Sequence, residues 1–478
     1  MSESPDIALG AHAAARDGDS IWGAVHEALR GSQRNYTEGS IGRAILILAI
    51  PMVLEMVMES VFVVCDVFFV SKLGPDAVAT VGLTESMLAI VYTIAMGLSI
   101  GVTATVARRT GEQDADGAAR TAVQAIALGL VVSAILGIVG AIFAPSLLSL
   151  MGASETVLAT GTTFTRVMLG GNATILLLFL INGIFRGAGD PQLSMRTLWL
   201  ANAINIALGP CLIFGLGPFP ELGVTGAAIA TTIGRGSGVL FGLVQFMRHS
   251  GRVRIHRRHL QLDPALMLRL VRLSGTGTFQ VLIGTASWIG LVRILATFGS
   301  EALAGYTIAI RIVLFALLPS WGMSNAAATM VGQALGAKKP ERAERAVWIA
   351  GFYNFCFLGS VSLIFFFAAR PIVGLFTHDP VVAEFARDGL RVIAMGFVLY
   401  AYGMVLSQAF NGAGDTWTPT LLNLFAFWLI EIPVAYALAV VLGFGPHGVF
   451  VAITGAFSLF ALLAVAMFRR GRWKTKMV

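Results

Sequence analysis

The chain has 478 residues, of which 56% are hydrophobic and only 12% charged, and its formal net charge is +7. A water-soluble domain carries about a quarter charged residues, so this composition excludes a soluble core and makes lipid the solvent. The basic excess calls for no nucleic acid, because a positive-inside bias and contact with anionic headgroups account for it.

Residues 1–40 are polar and lack the charged n-region and cleavable apolar core of a signal peptide, so they are expected to form a cytoplasmic tail. Within it, Ile21, Trp22, Val25 and Leu29 line up as one stripe of a short interfacial helix, with a disordered tail as the alternative. Twelve apolar runs come next, near 41–70, 77–107, 118–145, 155–185, 191–216, 222–248, 266–297, 302–332, 343–369, 380–410, 416–442 and 447–468. Each is long enough for the roughly 20 residues a bilayer crossing needs. Each must be a helix, since a backbone in hydrocarbon has to satisfy its own hydrogen bonds. Turn-formers such as Gly74-Pro75-Asp76, Gly189-Asp190-Pro191 and Gly445-Pro446 separate them. Cys65, Cys211 and Cys356 all fall inside runs, where a lone Cys is a small packed hydrophobe, so neither a disulfide framework nor a metal cluster is indicated.

Basic loops set the expected orientation. The connection from Arg248 to Arg272 holds seven Arg, three His and one acid, Asp263, and the tail adds Arg469, Arg470, Arg472, Lys474 and Lys476. Arg108, Arg109, Lys338, Lys339 and Arg342 fall on the same side, whereas loops 217–221, 298–301 and 443–446 have no Lys or Arg. Both termini are therefore expected in the cytoplasm.

The stretches FRGAGDPQ, from Phe185, and FNGAGDTW, from Phe410, lie 225 residues apart. The same offset aligns Gly74 with Gly299, Gly97 and Ser99 with Gly322 and Ser324, Gly111 with Gly336, Arg120 with Arg345, and Gly223 with Gly448. The chain thus reads as two six-helix halves, 41–248 and 266–468, joined by a basic linker at 249–265 and ending in a basic tail at 469–478. An even number of spans per half makes them parallel repeats about an axis along the membrane normal. The expected fold is an all-α integral membrane protein of twelve transmembrane helices in two pseudo-symmetric lobes.

Two halves that rock about a central site suit alternating access, and so a transporter rather than a channel or an enzyme. Gly97-Leu98-Ser99-Ile100-Gly101 spells G-x-S-x-G, but a nucleophile elbow needs a preceding strand and a triad, and this stretch is helical. Small residues for close helix packing are the expected role there.

The loop after the second span, VARRTGEQDADGAARTA, lacks the acidic-then-basic signature usual in the major facilitator class. The segments YTEGSIGRAILILAIP at 36–51, DVFFVSKLGPDAVATVGL at 66–83, GQALGAKKPERA at 332–343, RGAGDP and NGAGDT at the fourth and tenth span ends, and IEIPVAYALA at 430–439 resemble the multidrug and toxic compound extrusion (MATE) family. The resemblance runs through both halves. It implies a V-shaped bundle that exports amphipathic, often cationic, compounds in exchange for protons or sodium ions, with no enzymatic activity.

Glu55, Glu59 and Asp66 share the first span, and at 100° per residue they fall within about 40° of one another along a ladder roughly 16 Å long. Intramembrane acids are expensive and default to functional roles. The resemblance assigns Asp66 to the cation site of the N-terminal lobe, with Asn205 and Thr231 as partners. The acid expected four residues after Asn205 is Gly209, which leaves a poor cage for sodium but a desolvated carboxylate able to take a proton. Protons are therefore the favoured coupling ion, sodium the alternative with a transient site at Asp66, and no cofactor or other metal is expected. Glu55, Glu59 and Glu431 are candidate substrate or proton acids, and Glu431 has a helix-interface role as its alternative.

In the second half, Gln280 and Leu291 stand where the repeat places Glu55 and Asp66, so no C-terminal coupling site is expected. Met52, Met56, Met58, Met87 and Met96, with Phe62 and Tyr92, are either an adaptable lining or ordinary packing. Glu85 with Arg311, and Asp66 with Arg293, are candidate gate pairs that meet when the protein faces inward. The expectation is a monomer in the cytoplasmic membrane acting on small amphipathic molecules. A lipid-linked precursor flippase and a facilitator-type uptake carrier stay open as alternatives.

Overall fold

A computed structural model describes residues 21–32, 34–248 and 251–476. Most of the expected N-terminal tail, the first two residues of the linker and the last two of the C-terminal tail therefore lie outside the described residues. Among the described residues, eleven helices are long and apolar enough to cross a membrane, and the pair Pro380–Met395 and Phe397–Gly412, bent by 58°, makes the twelfth span. The chain is an all-α, multi-pass protein of two six-helix lobes.

The repeat is visible in the backbone. Gly74 and Gly299 adopt φ of +98° and +101°, Gln113 and Lys338 +59° and +58°, and Gly189 and Gly414 +85° and +81°. Each pair occupies equivalent turns in the two halves. A residue in the left-handed region is held there only where the turn demands it, so matching values at matching positions mark one turn used twice.

The fourth span is interrupted at Gly171 and Asn172, between Glu155–Gly170 and Ala173–Ala188, and the tenth at the equivalent Gly396. Asn172 spans its break by donating Nδ2 to the Leu169 carbonyl at 2.7 Å. The eleventh span begins as the helix Trp417–Asn423 and widens to a π-helix over Leu424–Glu431. Pro433 lies just beyond it, and its missing N–H removes a bond from that turn.

Glycines bring the lobes together at the end that carries Arg108, Arg109, Lys338 and Lys339, called here the basic end. A Cβ on Gly101 would come within 2.5 Å of Ser274 Oγ, and one on Gly322 within 2.9 Å of the Val53 nitrogen. Gly97 likewise faces Thr278, the repeat partner of Val53, and Gly111 and Gly336 close on each other across the axis. The G-x-S-x-G stretch is accordingly a packing surface. Interlobe hydrogen bonds lie in the same half: Thr329 to the Arg186 carbonyl at 2.9 Å, and Gln333 Nε2 to that of Gly187 at 3.0 Å. The V opens at the opposite, far end.

Each lobe has its own apolar core, but the first span divides between them. Ala44 to Met52 pack into the core of the second lobe, while Val70 belongs to that of the first. The short helix Ile21–Arg30 precedes it and buries Ala24 and Ala28, whereas Trp22 is 82% exposed. Ala24 and Ala28 are the docked face, since close approach to the first span needs short side chains. Of the cysteines, Cys356 is exposed on its span and the other two are half-buried.

Candidate functional site

A cavity of about 570 Å³ lies between the lobes, within the size range of small-molecule sites. Its charged lining comes from the first lobe alone: Glu55, Glu59, Asp66, Glu85, Arg186 and Arg235. The second lobe contributes uncharged residues, among them Trp321, Asn325, Gln408 and Asn411.

At the deep end, Glu55 is 2% exposed and forms an ion pair with Arg186 at 3.0 Å. It also accepts hydrogen bonds from Ser194 Oγ at 2.8 Å and Asn182 Nδ2 at 3.4 Å. Arg186 makes a second bond from Nη2 to Ser99 Oγ at 3.2 Å. Glu55 is therefore compensated rather than a free acid awaiting a cation. Its partner was legible in principle: the one letter that differs between FRGAGD and FNGAGD is Arg186 against Asn411, and the residue opposite Glu55 in the repeat is Gln280. The charged pair of one half is replaced in the other by two uncharged residues that, among the described residues, do not bond each other: Gln280 donates to Ser407 Oγ at 3.3 Å and Asn411 to Gln408 Oε1 at 3.3 Å.

Glu59 stands one turn along and accepts from Asn202 Nδ2 at 3.1 Å. Asp66 and Glu85 line the cavity toward the far end, and neither has an ion pair or side-chain hydrogen bond among the described residues. Asn205 donates to Thr231 Oγ1 at 2.8 Å, so these two come together, and Thr231 shares the cavity wall with Asp66. A Cβ at Gly209 would meet nothing closer than Phe69 at 3.9 Å.

Arg235, on the span Gly223–Met247, was missed by sequence reasoning. It is 8% exposed, lines the cavity, and lies over the rings of Phe62 and Tyr92 at 5.8 and 5.6 Å. The signal available was a lone Arg deep in an apolar run.

Three expected residues lie apart from this wall. Glu431 is buried in the second lobe, outside the cavity lining, with Oε2 unpartnered, so its position corrects the expectation of a cavity acid. Arg293 and Arg311 are exposed and outside the lining, and neither pairs with Asp66 or Glu85 in this conformation. Of the methionines, Met56 and Met96 line the cavity, while Met52 is packed at the lobe interface against Gly322.

The MatE family model matches residues 51–211 and 278–437, one segment in each half. The chain is 24% identical over 443 residues to "Probable multidrug resistance protein YoeA" of Bacillus subtilis, covering 92% of this chain and 96% of that one. It is 28% identical over 398 residues to the "FAD transporter" of Shewanella oneidensis, covering 83% and 87%. Among solved structures, the "Outward-facing conformation of a multidrug resistance MATE family transporter of the MOP superfamily" superimposes with a TM-score of 0.85 at 28% identity, over 92% of this chain and 98% of that one.

Proposed function

The chain belongs to the MatE family of membrane transporters, and from that premise we propose that it is a secondary active exporter of amphipathic cations, driven by protons carried on Asp66. The observation that supports this most is the cavity's charge: once Glu55 is neutralised by Arg186, the lining acids Glu59, Asp66 and Glu85 face a single lining cation, Arg235. An acidic cavity between two lobes attracts a cationic substrate and holds it against release until a proton competes. Proton rather than sodium coupling is favoured by the donor set. Gly209 brings no carboxylate, whereas sodium wants several hard oxygens at once.

In the cycle, the far end is open in this conformation and the basic end shut by the glycine contacts. Protonation of Asp66 from outside removes charge from the wall and weakens its hold on the cation, which leaves through the far end. With the basic end in the cytoplasm, as its Lys and Arg favour, this is export across the cytoplasmic membrane. Purified protein in proteoliposomes tests it. Efflux of a cationic dye should follow an imposed proton gradient and be lost in Asp66→Asn; efflux driven by a sodium gradient at constant pH would overturn the coupling.

A further inference from the structure

The segment before the first span is tied to both lobes at the end that is shut. On one side, Arg342 of the second lobe holds the carbonyls of Tyr36, Glu38 and Gly39, and Lys339 donates to that of Thr37 at 3.1 Å. Tyr36 is buried in the second lobe's core, which the first span joins from Ala44 to Met52. On the other side, Arg252 donates to the carbonyls of Ser32 at 2.9 Å and Arg34 at 2.6 Å, and its guanidinium covers the Tyr36 ring at 4.7 Å. Arg252 belongs to the first lobe, because Asp190 fixes its backbone N–H and its side chain, and Val253 beside it is in that lobe's core. Arg196, on the fifth span Pro191–Phe214, donates to the carbonyls of Leu29 at 2.9 Å and Arg30 at 3.3 Å, which end the helix Ile21–Arg30.

These bonds lie where the lobes have to part. Beside the Gly111–Gly336 contact is a second cavity of about 560 Å³, lined by turn residues 110–113 of the first lobe and 336–339 of the second. Arg34, Asn35, Thr37 and Glu38 supply another part of its wall. When the basic end opens, the segment travels with the second lobe, since Tyr36 and the first half of the first span are rooted there. The bonds that break are then those from Arg196 and Arg252. Hydrogen bonds from a guanidinium are stronger than neutral ones, so they weight the equilibrium toward the shut state. The grip is not a by-product of the duplication: at the 225-residue offset, Arg196 answers to Leu421, which has no donor.

We propose that the N-terminal segment is an interlobe latch. Arg196 and Arg252 hold it to the first lobe and Arg342 holds it to the second, and inward opening waits on its release from the first. The inference rests on alternating access between the lobes and is independent of the substrate and of the coupling ion. It has a signature that simple docking of a tail lacks. A tie through one segment is lost when either end is cut, so cutting the second end adds little.

Spin labels on cysteines at Glu112 and Glu341, exposed on opposite lobes at the basic end, read the opening by double electron–electron resonance. The full-length protein is used in nanodiscs, with Cys65, Cys211 and Cys356 replaced by serine. The wild type should show mainly the short distance. Arg252→Gln and Arg342→Gln should each raise the long-to-short ratio by about tenfold or more, and the double variant should exceed either single by no more than about twofold. A ratio that stays unchanged or falls in the single variants, even with a lowered melting temperature, overturns the latch. So does a double variant whose effect is the product of the two singles. Should Arg252→Gln or Arg342→Gln fail to fold, Arg196→Gln and Lys339→Gln make the same comparison from the two ends.

Discussion

Glu55 and Arg186 are each worth less alone than together. Removing one partner of a buried ion pair leaves an uncompensated charge and costs about 3–5 kcal/mol, whereas a neutral pair of matching shape is tolerated. Glu55→Gln and Arg186→Asn should therefore each lower the melting temperature in detergent. The double variant, which copies Gln280 and Asn411 of the other half, should recover much of the loss. Equal or additive losses would show that the two do not act as a pair. Glu59 differs, because Asn202 is its one side-chain bond and it faces the cavity. Glu59→Gln should narrow the preference for a cationic dye over a neutral analogue by up to about tenfold, measured as relative efflux. The ladder of acids on the first span was readable from spacing alone. Which acid is spoken for was not, since Arg186 is 131 residues away and only packing joins them.

At the scale of elements, the segment before the first span acts as a strap. Arg342 donates to the carbonyls of Tyr36 at 3.0 Å, Gly39 at 2.9 Å and Glu38 at 2.7 Å, fastening it to the second lobe. Arg252 donates to those of Ser32 at 2.9 Å and Arg34 at 2.6 Å, fastening it to the linker. Tyr36 lies beneath Arg252, and burial pushes its hydroxyl up to about 12 despite that neighbour. The GAGD turns anchor the chain just beyond the sixth span of each half: Asp190 accepts the Arg252 backbone N–H at 2.7 Å, and Asp415 pairs with Lys476 at 3.3 Å.

Glu27 holds the strap's helix to Arg43 at 2.8 Å. Burial pushes its carboxyl up, but hydrogen bonds from Arg43 and Ser32 and the charge of Arg34 outweigh that and hold it below its ordinary 4.5. A depressed carboxyl adds stability above its free value and loses it as pH falls through the folded one. Hydrogen-exchange protection over residues 21–32, corrected for the intrinsic pH dependence of exchange, should therefore hold from about pH 8 to about pH 5 and fall below, and Glu27→Gln should lower it across the range in which Glu27 is charged. Exchange in the variant equal to the wild type would remove Glu27 from the docking.

For the whole molecule, the pseudo-twofold axis decides what can move. The basic end closes through glycines, with Gly101 against Ser274 and Gly322 against Val53, so the same lobes must part there when the far end shuts. Cysteines at 85 and 311 should crosslink only after the protein turns inward, and the crosslink should stop transport. Facile crosslinking in this conformation would contradict the assignment of its open end, and failure of 85 with 311 under every condition would remove the outer gate pair.

By itself the sequence determined the solvent, the twelve spans, the duplication and the first-span acids, because these depend on composition, run length and period, all local properties of a chain in lipid. Even the eventual family was legible in motifs that recur at one offset. The tertiary structure alone decided which half of the first span joins which lobe, that Glu55 is answered by Arg186, that Glu431 lies outside the cavity, and that Arg235 lines it over the rings of Phe62 and Tyr92. A helix's charge pattern states which residues share a face, but the partner of that face is set by how helices far apart in the chain pack.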